Sequence, residues 1–147
     1  MSAHDGGAEI ASVLGLTLSG LSKEASDLYF WSSTEVGLLA VPASLSGTSS
    51  MMPQKKNSIS LERIWALAGE AAGWGASQLG MLHYAASTDS DQAYVLNQTP
   101  GHCVQTAGAA ELLREVLAGI ELDVEKMRGR TCQTLRGPER AQRLTRL

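Results

Sequence analysis

From Ala8 to Glu35, apolar or small residues fall at Ile10, Leu14, Leu18, Leu21, Ala25 and Leu28, in steps of three and four. That spacing lays them along one stripe of an α-helix, because successive side chains of a strand would alternate between two faces. One long helix is predicted, or two broken near Gly20. Pro42 and the Ser/Gly-rich run 43–50 then end the periodicity and predict a flexible loop. The stripe resumes at Ile64, Leu67, Ala71, Trp74, Gln78 and Met81, which predicts a second helix with Asn57 or Ser58 as its N-cap. Gly69, Gly73, Gly75 and Gly80 each cost about 1 kcal/mol there relative to Ala, so this helix needs close-packed neighbours. A polar break over 87–101 is expected to precede a third helix with Ala110, Leu113, Leu117 and Ile120 on its buried face. No segment alternates with period two, so the fold class is all-α, a bundle of long helices.

With 44% hydrophobic residues in 147, the chain can supply a core; a domain of this size buries roughly 68–70% of its unfolded surface. The longest apolar run, 38–43, contains Pro42 and falls far short of the ~20 residues that span a bilayer. No membrane partner is expected. Residues 1–9 lack a cationic stretch followed by an apolar one, so a cytoplasmic location is expected. Cys103 and Cys132 show no CxxC spacing and read as ordinary thiols, with no metal site.

Charge is uneven: residues 1–125 carry 5 basic and 14 acidic side chains, residues 126–147 carry 7 basic and 1 acidic. The basic end contains no aromatic residue for base stacking. It reads as a solvated tail, and no nucleic-acid partner is expected.

The segment with the most chemistry is Gly47-Thr48-Ser49-Ser50-Met51-Met52-Pro53-Gln54-Lys55-Lys56-Asn57-Ser58-Ile59-Ser60-Leu61-Glu62. It sets hydroxyls, two ammonium groups and an amide just before a helix N-terminus, where unpaired N–H groups and the dipole favour an anion. It is not a P-loop, since GxxxxGK[ST] is absent and no strand precedes it. Spacing alone leaves a plain Ser-rich linker open.

Ser49-Ser50-Met51-Met52-Pro53-Gln54-Lys55-Lys56-Asn57, with Glu62 five residues on, resembles the SSxMPxKxN…E signature of the aspartase/fumarase superfamily. Its MPQKKN core resembles the argininosuccinate lyase branch, as does the upstream Asp27-Leu28-Tyr29-Phe30-Trp31-Ser32-Ser33-Thr34-Glu35. The likeness fades from residue 2 to residue 128 and corresponds to about a third of a family subunit, so the chain is expected to be a C-terminal fragment. The resemblance implies a partial long-helix bundle of the fumarase/argininosuccinate lyase type. Residues 1–86 would belong to the central bundle with the signature loop at 44–58. Residues 87–130 would begin the C-terminal helical domain, and 131–147 would be a divergent basic tail.

For function, the resemblance implies a carbon–nitrogen lyase that expels an amine from a succinyl substrate to give fumarate, without a cofactor. Ser49 would be the general base, its alkoxide stabilised by local cations and backbone donors. Lys55 and Asn57 would face the dianion formed when a proton leaves the carbon beside a carboxylate. Glu62 would orient and raise the pKa of a histidine acid, while Ser50 and Met52 would shape the loop and touch substrate through their backbone. Partners would be a succinyl-amine or fumarate and further copies of the chain, a tetramer in the complete protein.

Several positions depart from the pattern. Thr48 stands where the branch often has Gly, and Ser58 replaces the usual Pro. Over 88–98, Asp89, Tyr94 and Asn97 replace substrate-holding residues of the branch, so the amine released need not be arginine. The TxxH segment that supplies the acid is missing, and His4, His83 and His102 each lack its context. The 147 residues are therefore expected to be inactive alone. The alternatives are a non-catalytic helical oligomerisation module and a superfamily lyase with a different succinyl-amine. Lys56 is assigned no role, Trp31, Trp65 and Trp74 are assigned to packing, and Glu111, Arg114 and Glu115 to a solvated helix face.

Overall fold

A computed structural model describes residues 5–48, 56–82 and 89–130. The first stripe forms one helix, α1 (Gly6–Ser32), unbroken at Gly20. Leu18 and Ala25 on that stripe are fully buried, but Ile10 is 45% exposed and the next residue, Ala11, is buried in its place; α1 is the axis against which the other helices pack.

After α1 come β1 (Leu39–Ala40), a single 3₁₀ turn (Ala43–Leu45), β2 (Gly47–Thr48) and β3 (Lys56–Asn57). The run expected as a plain loop is thus partly ordered: β2 pairs antiparallel with β3, Gly47 opposite Asn57 and Thr48 opposite Lys56. β1 pairs with β4 (Glu121–Leu122), Leu39 opposite Leu122. Two-residue strands are too short to leave a period in the sequence, which is why none was expected.

The helix expected across 64–81 is two, α2 (Ile59–Ala71) and α3 (Trp74–Met81). At the junction Gly73 N–H bonds back only three residues, to the Glu70 carbonyl at 3.2 Å. A poor helix former at this point lets the turn tighten. α3 then brings Gly75 against α1, where a Cβ would run into Ser12; the helical cost of that glycine is offset by this close approach. Ser58 stands at the N-cap of α2 but its side chain makes no cap bond, because the hydroxyl faces Ser32 of α1 instead, at 3.4 Å.

The expected polar break over 87–101 is also helical from residue 89: α4 runs through Pro100, Asp89–Gly119. Asp89 and Asp91 open it, where the helix dipole favours acidic residues, and Pro100 removes only one backbone donor. Its buried face is Thr106, Ala109, Leu113 and Val116, whereas Ala110 is exposed and Leu117 is 47% exposed. The expected face holds at Leu113 and at Ile120, which packs against the core, but not at Ala110 and Leu117, whose places are taken by Ala109 and Val116, with the polar Thr106 completing the stripe. Its hydroxyl donates to the His102 carbonyl at 2.8 Å, which removes the penalty for burying it.

Two hydrophobic clusters hold these elements together. One joins Ala25, Leu28, Leu39, Val41, Leu61, Ile64, Leu113 and Val116. The other joins Ala11, Leu18, Ala71, Trp74 and Ala109. Trp74 is buried and Trp65 lies against Tyr29, ring centroids 4.7 Å apart, but Trp31 is 41% exposed and is not a core anchor. It sits on the outward side of α1, three residues past core Leu28. Among the described residues no helix is long and apolar enough to cross a membrane.

Candidate functional site

The elements that carry the signature meet at one end of the bundle. There β2 and β3 are the arms flanking residues 49–55, and paired Cα atoms of antiparallel strands lie about 5 Å apart. The seven residues between them therefore leave and return at nearly one point. Ser49, Ser50, Met52 and Lys55 lie outside the described residues, as do His4, His83, Thr88, Cys132 and everything from 131 on. Asn57 and Glu62 are described, and both are half-buried.

Asn57 is in β3, not in the helix. Ser58, buried, follows it, and the Ser58 carbonyl accepts from Leu61 N at 3.0 Å and Glu62 N at 3.1 Å. Glu62 thus makes the first full helical bond of α2, with its carboxylate on the first turn. A carboxylate there is favoured by the dipole whatever else it does. The strand-to-helix junction, rather than one continuous helical turn, separates it from Asn57. The Ser60 hydroxyl, also in the first turn, is buried without a hydrogen-bond partner among the described residues.

Asn97 is exposed and lines a cleft with Glu70, Gln98, His102 and Gln105. It shares that cleft with Glu70, which lies eight residues past Glu62 on α2, roughly 12 Å along the helix. Asn97 therefore lies toward the opposite end of α2 from Glu62 and Asn57. The side chains of Asp89 and Tyr94 lie outside the described residues.

His102 stacks on Trp74, ring centroids 4.0 Å apart and planes 10° apart, and its Nδ1 is buried without a partner among the described residues. Burial lowers its pKa, with Glu70 opposing the shift. A His whose folded pKa is depressed binds fewer protons folded than unfolded, so its contribution falls as pH drops below about 6.5. Melting temperature should fall between pH 8 and pH 5 by more in the parent chain than in His102→Gln; equal falls would refute the assignment. Glu111 and Arg114 pair on the exposed face expected of them, Arg114 holding the Glu111 carboxyl below its usual range.

The model of the lyase family matches residues 1–73. Argininosuccinate lyase 1 of Shouchella clausii is 34% identical over 136 residues, covering 90% of this chain and 27% of that protein. Argininosuccinate lyase 2 of Agrobacterium fabrum is 33% identical over 109 residues, covering 73% of this chain and 22% of that protein. Among solved structures, a variant of EDDS lyase with bound fumarate superposes with TM-score 0.70 at 32% identity, over 83% of this chain and 24% of that one. The 3-carboxy-cis,cis-muconate lactonizing enzyme of Pseudomonas putida gives 0.70 at 25% identity, over 94% and 35%.

A long-helix bundle with these relatives is of the all-α lyase class. The chain belongs to the aspartase/fumarase superfamily and within it resembles the argininosuccinate lyase branch. It spans about a quarter of the length of the curated relatives it matches, 22% and 27% for the two above.

Proposed function

We propose that these residues form the signature part of a carbon–nitrogen lyase site that takes a proton from a succinyl group, breaks the bond to an amine and leaves fumarate. The observation that supports this reading most is the pairing of β2 with β3, which holds the two ends of the signature segment together just before the N-terminus of α2. Ser49 takes the proton, the C–H bonding pair left on carbon becomes the new C=C bond, and the C–N pair leaves with the nitrogen. Lys55 and Asn57 donate to the carboxylate that carries the developing charge, the positioned donors such a transition state needs. Glu62 orients a histidine that protonates the departing nitrogen.

That histidine comes from a segment outside these 147 residues, and the subunits assemble as a homotetramer whose sites combine residues of several copies. Such sharing gives Asn97 a place in a site other than that of its own Asn57. The amine is set by the region around Asp89, Tyr94 and Asn97, where this chain departs from argininosuccinate lyases.

Complementation tests the proposal. The 147-residue polypeptide, given argininosuccinate, should release no fumarate, and should do so when co-expressed with the remaining segments of a superfamily subunit. Fumarate from the polypeptide alone would overturn the incomplete-site reading. A stable complex that releases none from any succinyl-amine would overturn the lyase reading.

A further inference from the structure

Residues 121–130 lie across the turn that ends α1. β4 pairs with β1, and Asp123 N–H donates to the Leu38 carbonyl at 2.9 Å. Asp123 then caps the helical residues 124–130: its carboxylate accepts from Lys126 N at 2.9 Å and its carbonyl from Met127 N at 3.0 Å. Lys126 and Arg130, four residues apart, share one face of that helix. Lys126 Nζ lies 2.6 Å from where a Cβ would stand at Gly37, whose φ is +53°. Arg130 Nη2 donates to the Val36 carbonyl at 3.1 Å and the Glu35 carbonyl at 3.4 Å. Both cations thus sit just past the C-terminus of α1, where the dipole and spare carbonyls favour positive charge.

The same turn reaches the signature arm. Val36 N–H donates to the Ser33 carbonyl at 3.1 Å. Ser32, the last residue of α1, gives its hydroxyl proton to the Tyr29 carbonyl at 2.8 Å. Its oxygen is then left to accept from the Ser58 hydroxyl at 3.4 Å, and Ser58 directly follows Asn57.

We propose that residues 121–130 form a strap in which Arg130 is a positioning residue, holding the turn 33–37 and, through Ser32 and Ser58, the arm that carries Asn57. The benefit to substrate binding rests on the role proposed above for Asn57; the strap itself does not. Hydrogen exchange on the 147-residue chain tests it without any assay of activity. Arg130→Met keeps the apolar stem and removes the donors, whereas Arg130→Lys keeps charge and donors. Arg130→Met should speed exchange in residues 36–38 and in 56–58 about fivefold, a change on the scale of 1 kcal/mol. Arg130→Lys should restore both, and exchange around Leu18 should stay unchanged in each variant. The proposal is overturned if 36–38 respond and 56–58 do not, if the amides around Leu18 speed up equally, or if Lys fails to restore protection.

Discussion

In a full-length lyase carrying these residues, Ser49→Ala is expected to lower kcat for fumarate release by about 10²–10⁴-fold, the usual contribution of a positioned general base. Alanine cannot accept the proton, while Lys55 and Asn57 still meet the substrate carboxylate, so KM should change far less than kcat. The loss should be specific to that hydroxyl. Ser50→Ala, one residue on, removes a group assigned to loop shape and backbone contact, and should cost much less. Steady-state kinetics of the two variants decide the matter, and a Ser49→Ala enzyme within a fewfold of its parent would remove the base assignment.

Leu61→Ala is expected to destabilise the chain by about 2–5 kcal/mol, the range for deleting most of a leucine from a core that cannot close around the gap. Leu61 is fully buried, in one cluster with Ala25 and Leu28 of α1 and Leu113 and Val116 of α4. Three helices lose contact at once. Leu117→Ala is the control: at 47% exposed on α4, it should shift stability by about 0.5 kcal/mol or less. Urea titrations that gave equal shifts for the two would contradict the description of this cluster. Leu61 also precedes Glu62, so the cavity would loosen the first turn of α2 and the carboxylate it carries.

The long stripe of α1 was readable because its positions from Leu14 to Leu28 agree on one period; only its start was misplaced, where Ala11 rather than Ile10 enters the core. The face of α4 was readable at Leu113 but not at Thr106, whose burial depends on a hydroxyl bond to His102 that hydropathy cannot register. The β2–β3 clamp left no pattern in two residues a side, yet it is the feature that brings the ends of the signature segment together. Asn57 and Glu62 were legible as parts of a motif and Ser58 as the start of α2, but the strand that holds Asn57 was not. Arg130 was missed for a different reason. Its partner carbonyl at Val36 is 94 residues away in the chain, and the only local signals were Asp123 as a cap and the four-residue spacing of Lys126 and Arg130.

Residues 49–62 are proposed to carry the proton-abstracting and anion-binding side of a superfamily lyase site. Exchanging these 147 residues for the corresponding segment of a full-length argininosuccinate lyase, and measuring fumarate release from argininosuccinate and a panel of other succinyl-amines, tests this directly. A tetrameric, folded chimera should release fumarate from at least one of them. A chimera of the same assembly and stability that releases fumarate from none would contradict the account.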